Sequence, residues 1–174
     1  MRKKRLGSPR PIAPLGSPPA VKFLSEWLAV DVVWLFPATT SGNKVFLDFI
    51  DHFTKWSEAF VVPNQEAKTI ARLLETEIVL RYLIPKELLS DRGTNSFSKI
   101  VAEVCGLFKV KKFSTTAYNF KCNGGVETPQ GVMDGLENYY GENQKDSDEH
   151  VNLVLFAYRV VKHSVTMESP LFLL

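Results

Sequence analysis

The sequence predicts an α/β domain built on a five-stranded mixed sheet flanked by helices. Three observations predict it. Three short β-type runs joined by two tight connections come first. Helical and extended patterns then alternate through the rest of the chain. The 174 residues, 45% of them apolar, with ten Gly and ten Pro, suit one globular domain with a full core. The same mixed composition excludes a collagen-like, coiled-coil or wholly disordered chain. No run of 18 apolar residues exists, so neither a transmembrane helix nor a membrane partner is expected. The basic N-terminus is followed by no apolar stretch and does not read as a secretory signal. Cys105 and Cys122 show no metal-binding spacing, which predicts a reducing compartment and no structural zinc.

Each element has its own signal. Trp27 to Phe36 is almost wholly apolar, as in a strand buried on both faces, and Asp31 interrupts it. Ser41-Gly42-Asn43 is turn chemistry before a second strand, Lys44 to Asp51. Trp56 to Val62 is a third, and short connections make the three an antiparallel meander. After Pro63, Asn64 is read as a helix N-cap. Ala67, Ile70, Ala71, Leu74 and Ile78 then fall on one helical face, and Ile84-Pro85 is read as the stop. Lys86 to Ser90 is a short strand leading to Asp91. Phe97, Val101, Val104, Cys105 and Phe108 mark a second helix, and Lys109 to Thr115 a fifth strand. Val151, Val154, Leu155, Tyr158 and Val161 mark a further helix capped by Ser147 or Asp148, before a short apolar end at residues 167–174.

Charge and proline separate an arm from this domain. Residues 1–24 hold five of the ten prolines, as in an extended, semi-rigid linker. Arg2, Lys3, Lys4, Arg5, Arg10 and Lys22 stand in it without an acid, leaving 15 basic and 19 acidic groups in the other 150 residues, a net of −4. The expected division is a disordered, basic, Pro-rich arm over 1–24 and a folded core over 25–174. A basic arm of this kind binds nucleic acid by releasing counterions, or is a solvated tail.

The order β-β-β-α-β-α-β-α-α is that of the ribonuclease H-like fold, shared in outline by other mixed α/β domains. The carboxylates narrow the choice. Asp31 lies inside an apolar strand, where an ionised side chain is costly unless paired or bound to a metal. Asp91 ends a strand, and Glu127 follows Asn123-Gly124-Gly125-Val126 after a gap of 35 residues. Two-metal phosphoryl transfer needs hard oxygen ligands converging from separate elements. Taken singly, the same residues also read as a hydrogen-bonded Asp, a turn Asp and a surface Glu.

Residues 28–33 (Leu-Ala-Val-Asp-Val-Val), 50–56 (Ile-Asp-His-Phe-Thr-Lys-Trp) and 89–95 (Leu-Ser-Asp-Arg-Gly-Thr-Asn) carry a family resemblance. Thr115-Thr116-Ala117-Tyr118, Asn123 to Glu127, Phe156-Ala157-Tyr158-Arg159 and His163 to Pro170 extend it. Together they resemble the integrase catalytic core of gypsy-class LTR retrotransposons, kin to retroviral integrases. The Asp, Asp, 35-residue gap, Glu spacing is that family's catalytic signature. The resemblance implies a ribonuclease H-like fold with Asp31, Asp91 and Glu127 as catalytic residues and ligands of two Mg²⁺ or Mn²⁺ ions. It implies 3′-end processing of element DNA and strand transfer into target DNA, hence DNA as partner, Asn123 at the DNA beside the arm cations, a nuclear location, and self-association. Asp51 is read as structural, ordering the turn into Phe53-Thr54-Lys55, and Asp48 as outside the motif.

The chain also departs from the family pattern. Trp34-Leu35 replaces Gly-Pro, Ser96 replaces Phe, Asn119-Phe120 replaces His-Pro, and Thr128 and Gln130 replace Arg and Asn. Ser147 stands where Trp is usual. Thr128-Pro129 reads as an N-cap with Pro at the first helical position, so the helix after Glu127 is expected to start late or kink there. Gly131 and Gly135 weaken the same segment. Zinc-binding and C-terminal domains of the family are expected to be missing. The alternative function is a non-catalytic core fragment that binds nucleic acid or protein.

Overall fold

Strands and helices appear in the expected order, as far as the described residues reach, in a computed structural model, which describes residues 21–34, 38–90, 95–114 and 144–174; the helix expected after Glu127, with its late start or kink at Pro129, lies outside them. Strands β1 (Trp27–Trp34), β2 (Val45–Asp51) and β3 (Ser57–Val62) form the meander. Helix α1 (Ala67–Leu73) continues into a π-helical stretch, Leu74–Val79, and is followed by β4 (Glu87–Ser90). Then come α2 (Asn95–Phe108), β5 (Lys111–Ser114), a 3₁₀ turn (Gln144–Asp146), α3 (Ser147–Val160) and a short α4 (Pro170–Leu173). The sheet order is β3-β2-β1-β4-β5; β1–β2 and β2–β3 are antiparallel, and β1–β4 and β4–β5 parallel.

Strand alternation divides the core between two faces. Leu28, Val30, Val45, Leu47, Phe49, Val62 and Leu88 pack against Ile70, Leu74 and Ile78 of the first helical stretch and Val101, Val104 and Cys105 of α2. On the other face Phe46 and Ala59 meet Val151, Val154 and Leu155 of α3, with Ala29, Ile50 and Leu89 clustered beside them. The central strands are therefore buried on both sides, which is why β1 and β2 read as nearly continuous apolar runs.

The turns follow local chemistry. Gly42, at φ +82°, closes the β1–β2 connection, donating its N–H to the Thr39 carbonyl at 2.9 Å. Asp51 orders the β2–β3 turn as read. Its Oδ2 accepts from the N–H of Phe53 (3.1 Å) and Thr54 (2.8 Å) and from the Thr54 hydroxyl (2.8 Å), while its Oδ1 accepts from Ser25 N–H (2.8 Å). Asp148, on α3, ties that helix to the first hairpin by accepting from Thr39 Oγ1 (3.0 Å) and Asn43 Nδ2 (2.9 Å). Burial alone would raise the Asp148 pKa, but hydrogen bonds from Asn43, Thr39 and Ser41 outweigh it and hold it low.

Some boundaries differ from those expected. The N-cap of α1 is Glu66, not Asn64; Asn64 instead forms a turn, its Oδ1 accepting from Glu66 N–H and the Thr69 hydroxyl. Helical structure stops at Val79, before Ile84-Pro85, with a π-type bond from Leu80 N–H to Glu75 O (3.0 Å) at its end. The fifth strand starts at Lys111, since Lys109 takes a left-handed conformation (φ +54°) that ends α2. The N-cap position of α3 falls to Asp146, not to Ser147 or Asp148, and its side chain makes no capping hydrogen bond. The expected arm falls almost wholly on residues 1–20, outside the described residues; residues 21–24 form neither helix nor strand. Among the described residues, no helix is long and apolar enough to cross a membrane.

Candidate carboxylate site

Asp31 lies in the middle of β1, the central strand, between β2 on one side and β4 on the other. It is half-buried, and its Oδ1 accepts from the N–H of Val32 at 2.9 Å. The parallel register pairs Val30 with Ser90, the last residue of β4. Asp31 and Asp91 each follow that pair by one position in the sequence. Asp91 itself, Glu127, Asn123, and the arm residues Arg2, Lys3, Lys4, Arg5 and Arg10 lie outside the described residues. Among the described residues no group of three or more His, Cys, Asp or Glu side chains forms a metal-binding cluster.

Sequence reasoning set Asp48 aside, and the structure places it opposite Asp31. The two are register partners across β1 and β2. Directly opposite residues of an antiparallel pair share a face, with Cβ atoms about 5 Å apart. Asp48 is fully enclosed, at 1% exposure. Ser57 Oγ donates to its Oδ1 at 2.6 Å, whereas Oδ2 is buried with no hydrogen-bond partner. Its pKa is pushed up to about 7, first by burial, then by the charge of Asp31; the Ser57 hydrogen bond and Arg159 act in the opposite direction. The signal was available, since two aspartates interrupt two consecutive apolar strands. What the sequence lacked was the register that sets them side by side.

Arg159, from α3, reaches over the sheet edge formed by β3. Its guanidinium donates from Nε to the Ser57 carbonyl at 3.0 Å, pairs with Glu58 Oε2 at 2.8 Å, and stacks 4.1 Å from the Trp56 ring. Glu58 also accepts from Trp56 Nε1 (3.0 Å) and from the Tyr82 hydroxyl. At the turn, Tyr158 Oη donates to the Lys55 carbonyl at 3.1 Å.

Carboxylate oxygens are donors for a hard divalent cation, and an orphaned buried oxygen beside a second carboxylate fits such a group. A β3-β2-β1-β4-β5 sheet with helices on both faces defines the class: a ribonuclease H-like domain, here with Asp31 on its middle strand. The integrase core domain model matches residues 25–119, 95 of the 174 residues. The chain belongs to the integrase core domain family.

Relatives agree on the retroelement type. The chain is 24% identical over 144 residues to the retrovirus-related Pol polyprotein from transposon 412 of Drosophila melanogaster, covering 82% of this chain and 12% of the polyprotein. It is 25% identical over 154 residues to the gypsy retrotransposon integrase-like protein 1 of Bos taurus, covering 87% of this chain and 31% of that protein. The chain thus spans less than a third of these relatives. In fold it is similar to the catalytic core domain of BIV integrase, with a TM-score of 0.63 at 19% identity over 85% of this chain and 92% of that one.

Proposed function

We propose that this chain carries the DNA-cutting and DNA-joining centre of a retrotransposon integrase, with Asp31, Asp91 and Glu127 as catalytic, metal-ligating carboxylates. The observation that carries the reading is the placement of Asp31 on β1, hydrogen-bonded in parallel to the strand whose end leads into Asp91. Two Mg²⁺ or Mn²⁺ ions bound there would polarise a phosphodiester and lower the pKa of the attacking water or 3′-hydroxyl. Asp31 would supply an oxygen anchored to the rigid sheet, its Oδ1 already oriented by Val32 N–H. The partners are element ends and target DNA, met in the nucleus, with Asn123 and the arm cations Arg2, Lys3, Lys4, Arg5 and Arg10 on the DNA. The arm, 1–24, and the core, 25–174, then divide binding from chemistry, and two or more copies act together.

The test is cleavage and strand transfer on a DNA oligonucleotide with Mg²⁺ or Mn²⁺. Asp31→Asn, Asp91→Asn and Glu127→Gln should each abolish product while the chain stays folded. Product formation by any of the three removes that residue from the centre. The second reading, a non-catalytic core that binds nucleic acid or protein, is favoured by Thr128-Pro129 directly after Glu127. A folded, DNA-binding and wholly inactive unaltered chain establishes it.

A further inference from the structure

We infer that Asp48 is an additional oxygen donor of the cation site at Asp31, through its Oδ2 atom. The inference rests on the reading of Asp31 as a metal ligand.

The geometry carries it. Asp48 and Asp31 are register partners on adjacent strands and so project from the same face of the sheet. That face is the one α3 packs on, since Phe46, two residues before Asp48, clusters with Val151, Val154 and Leu155. Ser57 Oγ holds Oδ1 at 2.6 Å and thereby fixes the rotation of the carboxyl group. Oδ2 is the atom left over, buried and without a hydrogen-bond partner. An orphaned buried oxygen is a standing cost, and fully enclosed carboxylates occur where something cationic or donating meets them. Arg159 acts on Asp48 only at a distance, its guanidinium being engaged by the Ser57 carbonyl and Glu58. A divalent cation shared with Asp31 satisfies Oδ2 and neutralises two facing carboxylates at once. Oxygen-rich sites take Mg²⁺ or Mn²⁺ in this manner. An aspartate on β2 would set this site apart from one built on Asp31, Asp91 and Glu127 alone.

The experiment measures Mn²⁺ binding to the full chain without DNA, by calorimetry and by the spectrum of free Mn²⁺. Asp48→Asn keeps one neutral oxygen donor; Asp48→Val keeps none and suits the apolar face. Donation by Oδ2 predicts graded weakening, at least about tenfold for Asp48→Asn and more for Asp48→Val. Equal weakening in the two variants overturns donation, because loss of charge alone does that. Affinity unchanged in either folded variant also overturns it. Asp31→Asn separates the two levels. If it loses Mn²⁺ while the Asp48 variants bind normally, the inference fails and the reading of Asp31 stands. If Asp31→Asn binds as the unaltered chain does, the reading of Asp31 falls, and the inference falls with it.

Discussion

Buried polar side chains in this chain fall into those fully partnered and those left with an orphan atom. Asp51 belongs to the first kind: four donors meet its carboxylate, and the turn it holds was legible because Asp51 stands in the family motif as a structural residue ahead of Phe53-Thr54-Lys55. His52, next to it, belongs to the second. Its Nε2 is buried without a hydrogen-bond partner, and its ring meets the edge of Trp27 at 6.0 Å. Burial, then the Lys55 charge, hold its pKa down to about 4 from 6.5. The unfolded chain takes up this proton near pH 6.5, and the folded chain only near pH 4. His52 therefore contributes stability that is complete above 6.5 and is lost as the pH falls through 4. The loss is at most about 3 kcal/mol. Urea unfolding at neutral and mildly acid pH should show His52→Phe, which keeps the contact with Trp27, less acid-sensitive than the unaltered chain. An equal slope in both places the acid sensitivity elsewhere.

At the scale of elements, periodicity was legible wherever one face is buried. Ile70, Leu74 and Ile78 lie buried against the sheet as their spacing required. Endings were less legible, because they depend on backbone choices that no side-chain pattern encodes. Lys109 adopts a conformation usually given to Gly, and the π-turns from Leu74 re-aim the end of the first helical stretch. The opposition of Asp31 and Asp48 was hidden for a related reason: register is set by turn geometry, and one residue of slip would put them on opposite faces. Arg159 shows what an edge requires. Its guanidinium occupies the outward Ser57 carbonyl of β3 and pairs with Glu58, whose side chain is 8% exposed. Arg159→Ala should cost about 3 kcal/mol in denaturant unfolding, by leaving a buried carboxylate short of a cation, and should raise aggregation on heating. A loss well under about 1 kcal/mol would make the pair a surface contact. For the segment after Glu127, replacing Thr128-Pro129 by Arg-Phe and Gly131 by Ala should raise metal-dependent cleavage of DNA. Equal activity before and after removes the view that a late or kinked helix start at Pro129 impairs the chemistry.

For the whole molecule, charge is divided between a basic arm and an acidic core. Residues 1–10 hold five cations. Deleting Met1 to Arg10 should weaken DNA binding and flatten the dependence of log affinity on log salt by up to about 4 units. A slope unchanged by the deletion leaves a passive tail. Element order, fold class and family were all legible, because each rests on many residues at once. The approach of Asp31 to Asp48 rests on a single register and was not.

The central position of β1 also orders events in time. Its pairing with β2 joins neighbours along the chain, whereas its pairing with β4 joins Val30 to Ser90, 60 residues away. Contacts of such span carry a larger loop-closure cost and form slowly. The meander can therefore zip first and wait for β4. Asp31 and Asp48 face each other as soon as the hairpin closes, and β4 docks afterwards. During synthesis, the sheet around Asp31 remains half-built until the chain through Ser90 has emerged.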